Sequence, residues 1–372
     1  MTRRIVLAGA FALLAGTYLG GTGTARADIV IGLGTATTGA VAALGQQSVL
    51  GAEQAVKDIN AKGGVLGQKL VLRIGDDACD PRQAVAVANR FVSEGVAAVV
   101  GHLCSGSSIP ASNVYKEEGI VMVSPTATSP TLTESGAENI FRVCGRDDQQ
   151  GVISGKHLAQ AYRGKNIAVI DDKQTYGKGL ADVVAQTLEE AGQPVAYRGS
   201  ITAGERDFAA LITALKDKNI DAVYYGGYHP ELGLIVRQAR EMGFQAQFIA
   251  GDGLNNPEYW SITGPAGAGT LYTDSPSAAD NPAAQQVAQA VQQAGKNAGN
   301  FVFYSYAAVQ VIAQGLEKAG EVDSEKLVEA LHNDRFETVV GPIQFDEKGD
   351  VVDPAYVLYE WRDGKAVQLS SK

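Results

Sequence analysis

Positive charge, histidine and cysteine are all scarce in this chain. Its 31 Lys and Arg face 41 Asp and Glu, and there are only four histidines and three cysteines. The acid excess leaves a net charge of −10, a surface that repels nucleic-acid phosphates and anionic lipid headgroups. The histidines (His102, His157, His229, His332) are scattered and offer no transition-metal cluster. The acids of "DDACD" (Asp76, Asp77, Asp80) lack a calcium-loop pattern. There is no Walker sequence, and "GLGTAT" supplies Gly32 and Gly34 but has Thr37 where a dinucleotide fingerprint needs its third glycine. No metal and no cofactor is expected.

Long apolar runs are missing beyond residue 27. Residues 1–27 read as a secretory signal: Arg3 and Arg4, then the apolar "IVLAGAFALLAGTYL", then "ARA" with small residues where a signal peptidase reads. The apolar core is shorter than the ~20 residues of a spanning helix. The paired arginines permit a twin-arginine route as well as the general one, and no cysteine near the cleavage region offers a lipid anchor. A free soluble protein of the periplasm, an oxidising compartment, is expected. Removing the signal takes away Arg3, Arg4 and Arg26 and no acid, which moves the net charge from −10 to −13 and leaves 345 of the 372 residues. That length exceeds the ~250–300 residues at which a single core stops growing, so two domains are expected.

An odd cysteine count in an exported protein predicts one bridge and a leftover thiol, or pairing between chains. Cys79 follows the strand-like "KLVLRIGDDA" and Cys104 follows "AAVVGH". Both lie just past the carboxyl ends of strands separated by one helix, where neighbouring parallel strands bring them together. Cys144, in the strand-like "NIFRVCGR", is the expected free thiol.

What is plentiful is alternation. From Asp28, strand-like runs ("DIVIGLGTA", "KLVLRIGDD", "AAVVGH", "IVMVSPTA") alternate with helical ones, among them "DPRQAVAVANRFVSEG" with Asp80 as cap and Pro81 in its first turn. The pattern restarts after "FRVCGRDDQQG", with "KNIAVIDD", "PVAYRGSI", "DAVYYGGY" and "AQFIAGDG" as strands. The final "TVVGPIQFDEKGDVVDPAYVLYEW" reads as strands around a turn. Such alternation predicts parallel α/β sheets, here two of them in lobes facing a cleft.

Catalysis finds little support. Around Ser105 the G-x-S-x-G spacing of a nucleophile elbow fails, and a bridged Cys104 is no nucleophile. "SGSS" (105–108) and "SPTAT" (124–128) remain, each past the carboxyl end of a strand, where open α/β sheets bind ligands. Their hydroxyls and helix-start N–H groups suit an anion; ordinary Ser/Thr capping would look the same. With no lysine or arginine in either loop, a single carboxylate fits better than a phosphate. In the second half, Tyr176, Tyr228 and Asp252 also lie beyond strand ends. An acid and phenols facing a carboxylate seat would suit an α-amino acid, its ammonium on Asp252 and its carboxylate on the Ser/Thr loops.

Nearly the whole chain after residue 27 resembles the periplasmic leucine/isoleucine/valine-binding proteins of ABC importers. The resemblance is carried by "GAEQAVKDINAKGGV", "DDACDPRQAVAVAN", "GHLCSGSS", "SPTATSP", "VYYGGYHPE" and "FDEKGD". It implies an α/β type I binding protein, two Rossmann-like lobes joined by a three-crossing hinge, and a Cys79–Cys104 bridge. The expected lobes are 28–146 plus 275–354 and 147–274 plus 355–372. The resemblance also implies that Ser105, Thr128 and the backbone around Leu103, Thr126 and Ala127 seat the ligand's carboxylate and ammonium. Tyr228 and Asp252 complete ammonium recognition, while Tyr176 and Phe301 close over the side chain. The ligand would be L-leucine, L-isoleucine or L-valine, delivered by a monomer to permease subunits, with no chemistry performed. The chain departs from the family at two positions: Asp252 stands where glutamate is usual, and Leu44 where an aromatic is common. Both alter pocket volume, which keeps a broader or different set of neutral amino acids open. A sensory ligand-binding module is the other alternative; it usually continues into a membrane span, and none follows here.

Overall fold

The computed structural model describes Met1 and residues 27–369. The signal-like residues 2–26 therefore lie outside the described residues. The first half builds β1 (Ile29–Thr35), α1 (Ala42–Ala61), β2 (Leu70–Asp76), α2 (Pro81–Ser93), β3 (Ala98–Val100), α3 (Ser105–Glu118), β4 (Val121–Ser124) and β5 (Ile140–Arg142). Their strands form one parallel sheet in the order β2-β1-β3-β4-β5. The period-two alternation of strands sorts their side chains to the two faces. Ile29, Ile31, Leu33, Ala98, Val100, Val121 and Val123 join one core, while Val99 and Met122 pack with Phe91 and Tyr115 in another. Asp80 caps α2, accepting from the amides of Arg82 and Gln83 at 2.9 Å each, with Pro81 at its first position.

The second sheet starts with α4 (Asp147–Ala161) and β6 (Ile167–Asp171). It continues through α5 (Thr175–Glu190), β7 (Val195–Ser200), α6 (Ala209–Asp217), β8 (Ala222–Gly226), α7 (His229–Glu241) and β9 (Gln247–Ala250), then α8 (Glu258–Thr263) and β10 (Leu271–Asp274). The chain then returns to the first core. Helices α9 (Gln285–Gln293), α10 (Asn300–Ala319) and α11 (Ser324–Asn333) pack Val291, Val302, Phe303 and Leu327 against Ile31 and Val100. Gly51 in α1 lets α10 approach closely, since a Cβ there would lie 2.0 Å from the carbonyl oxygen of Val302.

After the small hairpin β11 (Phe336–Thr338) and β12 (Gly341–Ile343), the chain crosses a third time to add β13 (Val357–Arg362) and β14 (Lys365–Gln368) to the second sheet. That sheet runs β14-β13-β10-β9-β8-β6-β7. It differs from the all-parallel expectation at one edge, where β13 pairs antiparallel with β10 and with β14. A short turn between β13 and β14 leaves no room for the crossover helix that a parallel pair requires. No helix of the described residues is long and apolar enough to cross a membrane.

Candidate functional site

The carboxyl ends of both sheets face each other. From the first sheet come the start of α3 and the loop after β4. Cys104 is the N-cap of α3 and Ser105 its first residue, so the unpaired N–H groups of the first helical turn open at Ser105. The disulfide Cys79–Cys104, with a Cα separation of 5.6 Å, ties this helix start to the turn after β2. Below it His102 is buried between Asp77 (Nδ1···Oδ2 2.6 Å) and the Tyr115 hydroxyl (Nε2···O 2.9 Å).

The second sheet contributes Tyr176 from the first turn of α5, Tyr228 as N-cap of α7, and Asp252 just past β9. Two glycines let the β8 end and the α5 start touch: a Cβ on Gly226 would lie 2.0 Å from the Gly177 oxygen. That brings the rings of Tyr176 and Tyr228 to 5.0 Å between centroids. Asp252 Oδ1 accepts from the Tyr176 hydroxyl at 2.8 Å and from Gln150 Nε2 at 3.1 Å.

One small cavity between the sheets is lined by Leu103, Ser105, Thr126, Tyr176, Tyr228, Asp252, Gly253 and Phe301. A second, sharing Thr126, Asp252 and Phe301, extends past Thr128 and Cys144 to Asp274, Ser275 and Tyr356 beside the chain crossings. The structure thus gathers Leu103, Ser105, Thr126, Thr128, Tyr176, Tyr228, Asp252 and Phe301. Leu44 lies behind the cavity wall, fully buried in one apolar cluster with Leu103, Cys104 and Phe301, against which Tyr228 packs. Ala127 lines neither cavity; its carbonyl accepts from Arg142 Nη1 at 2.9 Å.

The hydroxyls differ in what they have left to give. Ser105 Oγ accepts the Ser129 amide at 3.2 Å, so its own hydrogen remains free to donate. Thr128 Oγ1 is buried beside the Asp147 carboxylate without a well-formed hydrogen bond to it. Thr126 Oγ1 donates to the Leu103 carbonyl at 2.8 Å, which commits its hydrogen to holding the two loops together.

Sequence reasoning missed Asp147 and Gln150. Asp147 is buried at the start of α4, its carboxylate facing the Thr128 hydroxyl without a well-formed hydrogen bond. Burial, and then the charge of Asp252, push its pKa well above the usual carboxylate range. Burial also raises Asp252, against the lowering effect of the Tyr176 and Gln150 hydrogen bonds. Asp274 is pushed up to about 8 by burial and by Asp252. Among the described residues none of the three acids pairs with a basic side chain within ion-pair distance. Arg142 acts on Asp147 only through space, its guanidinium being committed to the Ala127 and Ser129 carbonyls and to Asp350. Acids buried without counter-charge are costly unless something positive joins them.

The periplasmic binding protein family model matches residues 28–366. The chain belongs to the periplasmic binding protein family. Membership makes it a solute-binding protein rather than an enzyme and places it in the periplasm. The Leu/Ile/Val-binding protein homolog 1 of Brucella suis is 45% identical over 343 residues, covering 92% of each chain. Among solved structures, the leucine-binding protein LivK of Thermotoga maritima superposes with a TM-score of 0.86 at 30% identity, covering 92% of this chain and 98% of that one. The branched-chain substrate-binding protein LivJ of Streptococcus pneumoniae, in complex with isoleucine, gives 0.83 at 26% identity, covering 92% and 100%. The architecture of this periplasmic binding protein is accordingly the type I fold, two α/β units linked by three chain crossings.

Proposed function

We propose that this protein captures a branched-chain L-amino acid between its two sheets and delivers it to the permease of an ABC importer. The observation that carries the reading is the uncompensated acid at Asp252, facing hydroxyl and helix-start donors that have hydrogens to spare. An α-amino acid answers both, with its ammonium against Asp252 and Tyr228. Its carboxylate accepts from Ser105, the α3 N-terminus and Thr128. The side chain meets the apolar surface of Leu103 and Phe301 backed by Leu44, and Tyr176 closes the far side while fixing Asp252. The Leu/Ile/Val-binding relatives and the isoleucine-bound LivJ support this choice of ligand class.

In this reading the lobes are 28–146 with 275–354 and 147–274 with 355–372. Ligand contact with both lobes biases a hinge equilibrium toward the closed form. The protein works as a monomer after a signal of residues 1–27 is removed, and N-terminal sequencing of the secreted form should begin at Ala27 or Asp28. Calorimetry of refolded, ligand-free protein against a panel of amino acids and sugars tests the function. Heat from leucine, isoleucine or valine with none from sugars is expected; a sugar as the tightest ligand would refute the reading.

A further inference from the structure

The loop that carries Thr126 and Thr128 has no regular secondary structure, yet two of its carbonyls are held from behind by one buried guanidinium. Arg142, the last residue of β5, is completely buried. Its Nη1 donates to the carbonyls of Ala127 at 2.9 Å and Ser129 at 2.8 Å. Its Nε donates to Asp350 Oδ1 at 2.5 Å and its Nη2 to Thr133 Oγ1 at 2.5 Å. Asp350 comes from the segment that leads into the third crossing. It also accepts from Thr133 Oγ1, at 2.9 Å to one oxygen and 3.0 Å to the other, and from Arg146 Nη1 at 2.7 Å.

The consequence for the loop is geometric. In an extended segment, successive carbonyls point to opposite sides. Drawing residues 127 and 129 to the guanidinium turns the carbonyl of Thr128 the other way, where it accepts the Asp147 amide at 2.9 Å. The Thr128 hydroxyl is left beside the cavity. Ser129 completes the link, because its carbonyl is on Arg142 while its amide donates to Ser105 Oγ. Stability alone is a poor reason for such a group, since a buried ion pair is often matched by apolar residues of similar volume. What an apolar replacement cannot do is hold two carbonyls of one loop in a fixed fork. Lysine cannot either, having a point charge in place of a planar array of donors.

We propose that Arg142 and Asp350 are positioning residues of the ligand site, Arg142 fixing the loop that presents Thr126 and Thr128 and Asp350 fixing Arg142. The inference rests on the reading that this loop seats the head group of an amino acid. Removing the outer partner should weaken ligand binding in protein that is still folded, since preorganised binding groups depend on the shell that supports them. The test is calorimetry with leucine, valine and alanine on Asp350→Asn and Thr133→Val. Each variant is refolded ligand-free and titrated far below its own melting midpoint, beside Asp252→Asn. Thr133→Val is the milder change and keeps the test open should Asp350→Asn not fold. Affinity should fall by roughly 10- to 100-fold, the range seen when outer partners of metal ligands are removed. The fold-loss should be alike for all three ligands, because they share the head group. If either variant melts lower but binds all three as tightly as the parent, while Asp252→Asn has lost binding, the residues are structural only and the proposal falls. If Asp252→Asn also binds normally, the site reading fails and takes this inference with it.

Discussion

The hydroxyl of Tyr176 donates to Asp252 Oδ1 at 2.8 Å and accepts the amide of Gly253 at 3.1 Å. One phenol therefore fixes both the carboxylate and the backbone that carries it. Asp252 is one methylene shorter than glutamate, and this bond, with that from Gln150, determines where its charge sits. Tyr176→Phe should lower leucine affinity by about 1.5–3 kcal/mol, the worth of a hydrogen bond to a charged group. The melting temperature of the ligand-free protein should change little by comparison. Calorimetry and a thermal melt on the same sample check it; unchanged affinity would mean that Tyr176 does not act through Asp252.

Leu44 sets the depth of the apolar wall. It is fully buried beside Leu103, Cys104 and Phe301, so Leu44→Tyr must push into the space between them. Overfilling a packed site costs ~1–3 kcal/mol. Because the cost grows with ligand size, affinity for leucine should fall more than affinity for alanine. Competition titrations with the two amino acids measure the ratio. A variant that prefers leucine more strongly than the parent would place the side-chain pocket elsewhere.

The thiols make a separate prediction. Reducing Cys79–Cys104 opens a loop closed across a sequence separation of 25 residues, worth roughly 3 kcal/mol in the chain-entropy model. Cys144 is free and buried, with its pKa raised chiefly by desolvation. A thiol reagent should find no reactive cysteine in native, unreduced protein and one after denaturation. Melts with and without reductant should differ by several degrees; equal melts, or a reactive thiol in the folded state, would contradict this arrangement.

Most of the architecture is legible in the sequence because buried strands and amphipathic helices differ in period. Ile29, Ile31 and Leu33 alternate with Val30 across two cores, as the pattern requires. The Cys79–Cys104 bridge follows from where two parallel strands end. The residues that escaped are buried polar ones. Asp147 sits in "RDDQQG", where an acid at a helix start reads as an exposed cap, and nothing local marks it as buried beside Asp252. Arg142 lies in "NIFRVCGR" and reads as a strand-end charge, since its partner Asp350 is 208 residues away. The edge pairing of β13 with β10 depends on which sheet receives the last crossing, and hydropathy carries no signal for that.

Stability of the ligand-free protein should fall as pH rises. Asp274 is pushed up to about 8 and Asp172 to about 7, each mainly by burial, from an ordinary value of 3.8. Across that interval the folded protein holds protons that the unfolded chain has released. The stabilisation is complete below about pH 4 and is lost as pH climbs through the raised values near 7 and 8. Melting temperatures from pH 5 to pH 8 should decline, with a shallower slope in Asp274→Asn. A flat profile in the parent would show that these acids are charged in the fold throughout.

The most direct test of the whole account is leucine and valine binding to Asp252→Asn beside the parent, by calorimetry on refolded, ligand-free protein. The substitution keeps the shape and removes the charge. An ammonium drawn out of water toward Asp252 then loses its charged partner, and affinity for both ligands should fall by roughly 2–5 kcal/mol. Binding as tight as the parent's would contradict the account, because the ammonium would have to lie elsewhere and the carboxylate seat at Ser105 and Thr128 could not hold.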